Sequence, residues 1–318
     1  MTMAATILTD PPPFEHVTVL GEETIAALRP GDAENGTFVD VTAGGGGHSA
    51  LLLARAPTAR LFAFDRDPRA VEAATARLAP FGERVTVVHG TFSEVAPWLA
   101  EHGVTTVDGL LADLGVSSPQ IEDAARGMSF RFEGPLDMRM DPTQGETARD
   151  LIERLDQDEL ADAIYHYGEE HRSRRVARCI KQALDRGELE TTLDLRRAVV
   201  RAVGPRRVGG VDPATRTFQA LRILVNQELA ELEGLLATLP SLIEPGGVAA
   251  IISFHSLEDR LVKRAFSQRD VWERLSKKPI VPTDAEQAEN PRSRSAKLRA
   301  ARRVDDETPA ARLDEEAE

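Results

Sequence analysis

Between Thr37 and Ser49 the chain reads TFVDVTAGGGGHS, and few folds accept that order of residues. A short aromatic and β-branched run, Phe38-Val39, ends in Asp40. Four glycines, Gly44 to Gly47, follow, and Ala50-Leu51-Leu52-Leu53-Ala54-Arg55 continues with helix formers. The order predicts strand, tight loop and helix, the opening unit of an α/β nucleotide-binding sheet. Glycines let the backbone turn sharply and approach a ligand closely, and the first N–H groups of the following helix remain free to meet it. Arg60 to Asp65, RLFAFD, predicts a second strand tipped by a carboxylate, the place where such sheets hold a ribose hydroxyl. Two ligand classes use a glycine loop with a ribose acid: dinucleotides and S-adenosylmethionine. The dinucleotide pattern G-x-G-x-x-[GA] is met once, by Gly45, Gly47 and Ala50, a weak match inside a four-glycine run.

A chain of 318 residues with 42% hydrophobic content can build one large domain or two modest ones. It contains no apolar run long enough to span a membrane, and MTMAATILTD is not a signal peptide. The lone Cys179 excludes a disulfide framework and a cysteine metal site, and the Asp, Glu and His spacing suggests no metal cluster. These features predict a cytoplasmic protein. A net charge of -13 is unfavourable for binding phosphates. The charge is uneven, however: residues 165–210 hold eleven Arg and Lys against six Asp and Glu.

Taken in order, residues 1–13 predict a disordered lead-in. Asp67-Pro68 opens an amphipathic helix to Leu78, with Asp67 as N-cap. Arg84 to His89 predicts a third strand, leading to Phe92, an aromatic placed to cover an adenine. Thr106 to Asp113 predicts a fourth strand, again tipped by a carboxylate at the edge where open α/β sheets bind ligands. Residues 122–211 change character. Helical periods run over Ala148 to Leu155, Gln157 to Tyr167, Ser173 to Arg186 and Leu193 to Val203, so this stretch reads as a helical insertion. Pro213 to Leu239 fits one long helix back in the core. Val248 to Phe254 is a central strand with His255 just beyond it. A mobile loop is expected between Phe266 and Asn290, a last strand near Ala296 to Ala301, and a disordered acidic tail over 304–318. The division is then 14–121 with 212–303 for the sheet domain and 122–211 for the insertion.

Several ordered stretches carry a closer likeness. They include Gly45-Gly46-Gly47-His48-Ser49, Phe64-Asp65-Arg66-Asp67-Pro68 and Asp113-Leu114-Gly115-Val116-Ser117-Ser118-Pro119-Gln120. Gly134 to Asp141 (GPLDMRMD), Thr215 to Ile223 (TRTFQALRI) and Ser253 to Arg260 (SFHSLEDR) extend the set. Over about residues 14–303 the chain resembles the bacterial 16S rRNA cytosine-N4 methyltransferases of the RsmH/MraW type. The resemblance implies a class I S-adenosylmethionine-dependent methyltransferase fold with an inserted helical substrate-recognition domain. It implies S-adenosylmethionine as methyl donor and, as target, a decoding-region (P-site) cytosine of 16S rRNA in the small ribosomal subunit. By the same likeness, Gly46, Gly47, His48, Asp65, Phe92, Asp113 and Gln120 are donor-binding positions. Val211-Asp212 departs from the family, where a basic residue and a histidine are common.

The implied chemistry needs an in-line amine with its protons held by acceptors, because a cytosine N4 lone pair is delocalised into the ring. Asp113, Ser117, Ser118 and the backbone before Pro119 are the candidates, and His255 is a candidate proton acceptor. Ring-carbon methylation would need a thiolate nucleophile, and Cys179 lies in an arginine-rich helix rather than on a strand-end loop. Arg172, Arg174, Arg175, Arg178, Arg206 and Arg207 are candidate RNA phosphate contacts. Two other readings share the glycine loop: a dinucleotide oxidoreductase, and a non-catalytic RNA-binding assembly factor that retains an adenosine pocket.

Overall fold

A computed structural model describes residues 18–33, 35–205 and 211–304. The lead-in 1–13, nearly all of the acidic tail, and Arg206 and Arg207 lie outside the described residues. The described residues form two compact units, one containing 116–205 and 211–226, the other 18–33, 35–115 and 227–304.

The second unit is built on a seven-stranded sheet of order β3-β2-β1-β4-β5-β7-β6. Its strands are β1 Thr37–Asp40, β2 Arg60–Asp65, β3 Val85–His89, β4 Val107–Asp113, β5 Ile243–Ser253, β6 Trp272–Arg274 and β7 Lys297–Arg303. β1 to β5 are parallel, while β7 runs antiparallel to β5 and β6 antiparallel to β7. The order reverses between β1 and β4, which places the ligand crevice at their carboxyl ends. This is the Rossmann-like arrangement of a class I methyltransferase. The central strands are apolar along both faces: Phe62, Phe64, Leu110, Ile251 and Ile252 are all buried. Each such side chain contributes about 1.5–3 kcal/mol by leaving water.

Helices α1 Gly21–Leu28, α2 Gly47–Arg55, α3 Pro68–Leu78 and α4 Phe92–Glu101 connect the first strands. Asp67 caps α3 as expected, its side chain accepting from Arg69 N with Pro68 in the first turn. α4 was not foreseen, although Thr91 and Glu94 form a capping box at its start.

The helical unit contains α5 Ser118–Glu122, α6 Ala148–Arg154, α7 Gln157–Gly168, α8 Ser173–Asp185, α9 Thr192–Val203 and α10 Thr215–Asn226. Capping boxes at Thr147/Asp150, Asp156/Glu159 and Thr191/Asp194 start α6, α7 and α9. Leu160, Ile164, Val176, Ile180, Leu195, Val199 and Leu221 meet in one core. Cys179 is buried in it, on α8.

The expected helix over Pro213–Leu239 is two helices. α10 ends at Asn226, Gln227 takes a left-handed conformation (φ 51°), and α11 Glu228–Leu242 starts afresh. The reason is side-chain chemistry. Asn226 Oδ1 accepts from Met140 N at 2.7 Å and its Nδ2 donates to Met138 O at 2.8 Å, clamping a loop of the helical unit. α10 packs on α7 and α6, whereas α11 packs on α4 and, in the same unit, on α12 Ser256–Ala265. The compact helical unit is therefore wider than the expected 122–211 at both ends. The stretch expected as a mobile loop carries β6 and a short helix, α13 Asp284–Glu289. Leu20 N donates to Glu286 of α13 at 2.8 Å, which ties that segment to the sheet unit.

Candidate functional site

The three acid-tipped strands end in three different environments. Asp40 is fully buried; its carboxylate accepts from Ser49 Oγ at 2.7 Å and from Thr42 N at 3.0 Å. Burial pushes its pKa up against those bonds. Asp40 thus fastens β1 to the first turn of α2 from inside. Asp65 ends β2 and accepts from Gly44 N at 2.7 Å and Asp67 N at 2.8 Å. Burial raises its pKa to about 6, and the two backbone bonds only partly oppose the rise. The glycine loop is therefore bonded directly to the acid that ends β2.

Two glycines of the loop answer to their own packing. Gly46 sits at φ +74°, where a Cβ costs about 1–2 kcal/mol. A Cβ on Gly47 would lie 2.0 Å from Thr18 Oγ1. Phe92, the first residue of α4, is half-buried against the sheet core near Trp98.

Asp113 ends β4, and its N–H donates to Thr42 Oγ1 at 2.6 Å. Thr42, bonded to Asp40 on one side and Asp113 on the other, ties the tips of β1 and β4 together. His48, in the first turn of α2, is 5% exposed. Its Nε2 lies 3.0 Å from Val19 O. A carbonyl only accepts, so Nε2 carries the proton and donates. The other ring nitrogen, Nδ1, lies 3.8 Å from Asp113 Oδ2.

Beyond Asp113 the chain turns at Gly115 (φ +95°), against the ring of Phe254, and enters the helical unit. There Ser117 precedes α5, and Gln120 Oε1 accepts from Ser117 N at 3.0 Å. Pro119 and Gln120 are buried, Ser117 and Ser118 half-buried. Gln120 spends its carbonyl on its own turn.

His255 follows β5 and caps α12. Glu258 N donates to its Nδ1 at 3.4 Å, and its Nε2 stands 3.1 Å from Glu258 Oε1. Glu258 Oε2 also accepts from Phe254 N at 2.8 Å and His255 N at 3.2 Å. With Nδ1 accepting, Nε2 of the neutral ring holds the proton; it is buried 3.1 Å from Glu258 Oε1 but not hydrogen-bonded to it. The neutral ring then has no lone pair free for a substrate proton. Among the described residues Glu228, His255 and Glu258 bring ligand atoms within 4.8 Å of one another. Sequence reading passed over Glu258, although its place three residues after an N-cap is capping-box spacing.

The candidate RNA contacts lie in the helical unit. Arg172, Arg174, Arg175 and Arg178 are exposed, the last three on α8. Arg174 pairs with Asp158 at 2.9 Å and Asp162 at 3.3 Å, and Arg172 donates to Val203 O at 3.1 Å. The departure at Val211-Asp212 is absorbed locally: Asp212 accepts from Arg196 at 2.8 Å and from Ala214 N at 3.0 Å.

The sheet unit suits S-adenosylmethionine. A ribose diol needs a held acceptor, which Asp65 offers, and a sulfonium needs nearby negative charge, which Asp113 offers. No helix among the described residues is long and apolar enough to cross a membrane. Comparison with known proteins gives the same direction. The chain is 65% identical over 301 residues to the ribosomal RNA small subunit methyltransferase H of Sorangium cellulosum, covering 93% of this chain and 95% of that one. It is 54% identical over 296 residues to the protein of that name from a Synechococcus species (strain CC9902), covering 92% and 99%. The dinucleotide reading of Gly45, Gly47 and Ala50 finds no support in these matches. With the glycine loop, the ribose acid and the β4 tip each in place, and a family model matching residues 13–304, the chain belongs to the MraW methylase family.

Proposed function

We propose that this protein transfers a methyl group from S-adenosylmethionine to the N4 amine of a P-site cytosine in 16S rRNA, within the small ribosomal subunit in the cytoplasm. The observation that carries the reading is the tie through Thr42, which fixes the β4 tip against the glycine-loop strand. The loop that leaves Asp113 thereby starts beside the donor loop. The donor, when bound, supplies an electrophilic methyl on a cationic sulfur.

The chain's own residues do the rest. Asp65 accepts from the ribose hydroxyls, and Phe92 covers the adenine edge. Gly46, Gly47, His48 and Gln120 complete the donor surroundings. Asp113 faces the sulfonium and the amine beside it, while Ser117, Ser118 and the carbonyl before Pro119 accept hydrogen bonds from the amine and raise electron density on nitrogen. Residues 122–211 recognise the RNA, with Arg175 and Arg178 contacting phosphates and Arg172, Arg174, Arg206 and Arg207 adding charge. The target base must be presented unstacked.

The test is methyl transfer from labelled S-adenosylmethionine to purified small subunits, followed by nucleoside analysis. The reading expects N4-methylcytidine in 16S rRNA. Label at another position of the base, or tight donor binding with no label in RNA, overturns it.

A further inference from the structure

Methylation of an amine leaves a proton to place. The N4 lone pair forms the bond to the methyl carbon, the carbon–sulfur bond pair goes to sulfur, and the amine nitrogen holds one surplus proton. His255 spends its Nδ1 lone pair on Glu258 N, and its Nε2 is buried against Glu258. The sheet unit contains a second histidine with the opposite arrangement.

His48 donates from Nε2 to Val19 O at 3.0 Å, which fixes its tautomer and turns the Nδ1 lone pair toward Asp113 Oδ2 at 3.8 Å. A neutral imidazole lone pair and an ionised carboxylate repel. One proton placed on either atom turns the contact into an attraction, an N–H or O–H facing an acceptor. The pair is thus a slot for one proton. The charged groups facing His48 are Asp113 from β4 and Asp40 from β1, whose carboxylate interacts electrostatically with both. The segment before α1 contributes only the Val19 carbonyl. His48 itself is 5% exposed, so the slot is shielded from bulk water.

We infer that the His48–Asp113 pair receives the proton released from the substrate amine, Asp113 meeting the amine and His48 acting through it as a positioning residue. The inference rests on the methyl-transfer reading above. The proton leaves N4 for Asp113 Oδ2, is shared with Nδ1 of His48, and returns to water when product departs.

Single-turnover rates at saturating donor, measured across pH with small subunits, test it. The wild-type rate where it levels off with pH sets the reference plateau. His48→Gln keeps a donor for Val19 O but removes the second nitrogen. It is expected to lower the plateau about 100-fold, within the range of a lost proton acceptor, and to change the pH profile, both read at saturating donor. In ¹⁵N-histidine spectra of the unaltered protein, neutral His48 should carry its proton on Nε2. A wild-type plateau and profile in a folded His48→Gln protein overturns the inference. So does a loss fully explained by weaker donor binding, or a proton on Nδ1. If wild type itself leaves small-subunit RNA unlabelled, the methyl-transfer reading fails and takes the pair's role with it.

Discussion

Two histidine–carboxylate pairs stand at the carboxyl edge of the same sheet unit, and their backbone partners give them opposite characters. At the tips of β1 and β4, a carbonyl fixes the proton of His48 on Nε2, and Nδ1 is left facing Asp113. Beyond β5, a backbone N–H takes the lone pair of His255 at Nδ1, and Nε2 is left buried 3.1 Å from Glu258 Oε1 without a hydrogen bond. The second pair is closed: Glu258 is buried and also accepts from Phe254 N and His255 N. The first retains room for one proton. The chemical capacity of a histidine is set here by whether a carbonyl or an N–H meets its first nitrogen.

The comparison can be broken at several points. The largest effect is expected for Asp113→Ala, about 1,000-fold or more in single-turnover methyl transfer, because it removes the proton slot and the charge facing the sulfonium. Retention of a tenth of the wild-type rate would show that the open pair is not needed. Glu258→Ala should act on folding instead. Stranding the N–H groups of Phe254 and His255 costs about 2–4 kcal/mol, read as a lower midpoint in urea. A variant as stable as wild type would mean that the closed pair is not structural.

Asp65→Asn should weaken donor binding about 30-fold by calorimetry, since a charged acceptor for the ribose is replaced by a neutral one. A smaller effect follows from pH alone. The pKa of Asp65 is raised to about 6 in the folded protein. The carboxylate that accepts from the ribose is therefore complete only above that value. Donor affinity should fall as pH drops through about 6, by at most tenfold per unit, and Asp65→Asn should flatten the fall. Affinity that is constant from pH 5 to 8 would remove Asp65 from the ribose. The smallest effect is expected for His255→Ala: a rate within threefold of wild type and about 1 kcal/mol of stability lost with the helix cap.

The glycine loop, the acid tips of β2 and β4 and the helical periods of α6 to α9 were legible because each is a local pattern. Strand alternation, capping residues and turn glycines act over a few positions, so the order of residues is enough to read them. Asp40 differs from the other two tips: it has the same sequence setting as Asp65, yet it is buried against Ser49 and Thr42. The break at Asn226-Gln227 was also hidden, because the apolar spacing runs on through it. What interrupts it is a contact with Met138 and Met140, more than eighty residues away along the chain. β6 escaped notice because three residues at a sheet edge carry no period.

The sequence by itself determined the parallel sheet, its glycine loop, the family and the residue types at the site, since local order and motif spacing specify them. Only the tertiary structure decided which acids face a ligand, which nitrogen of each histidine holds the proton, and which arginines are already paired. Those properties depend on which groups the fold brings within about 3–4 Å, where hydrogen bonds and charge pairs act, and groups that close come from distant parts of the chain.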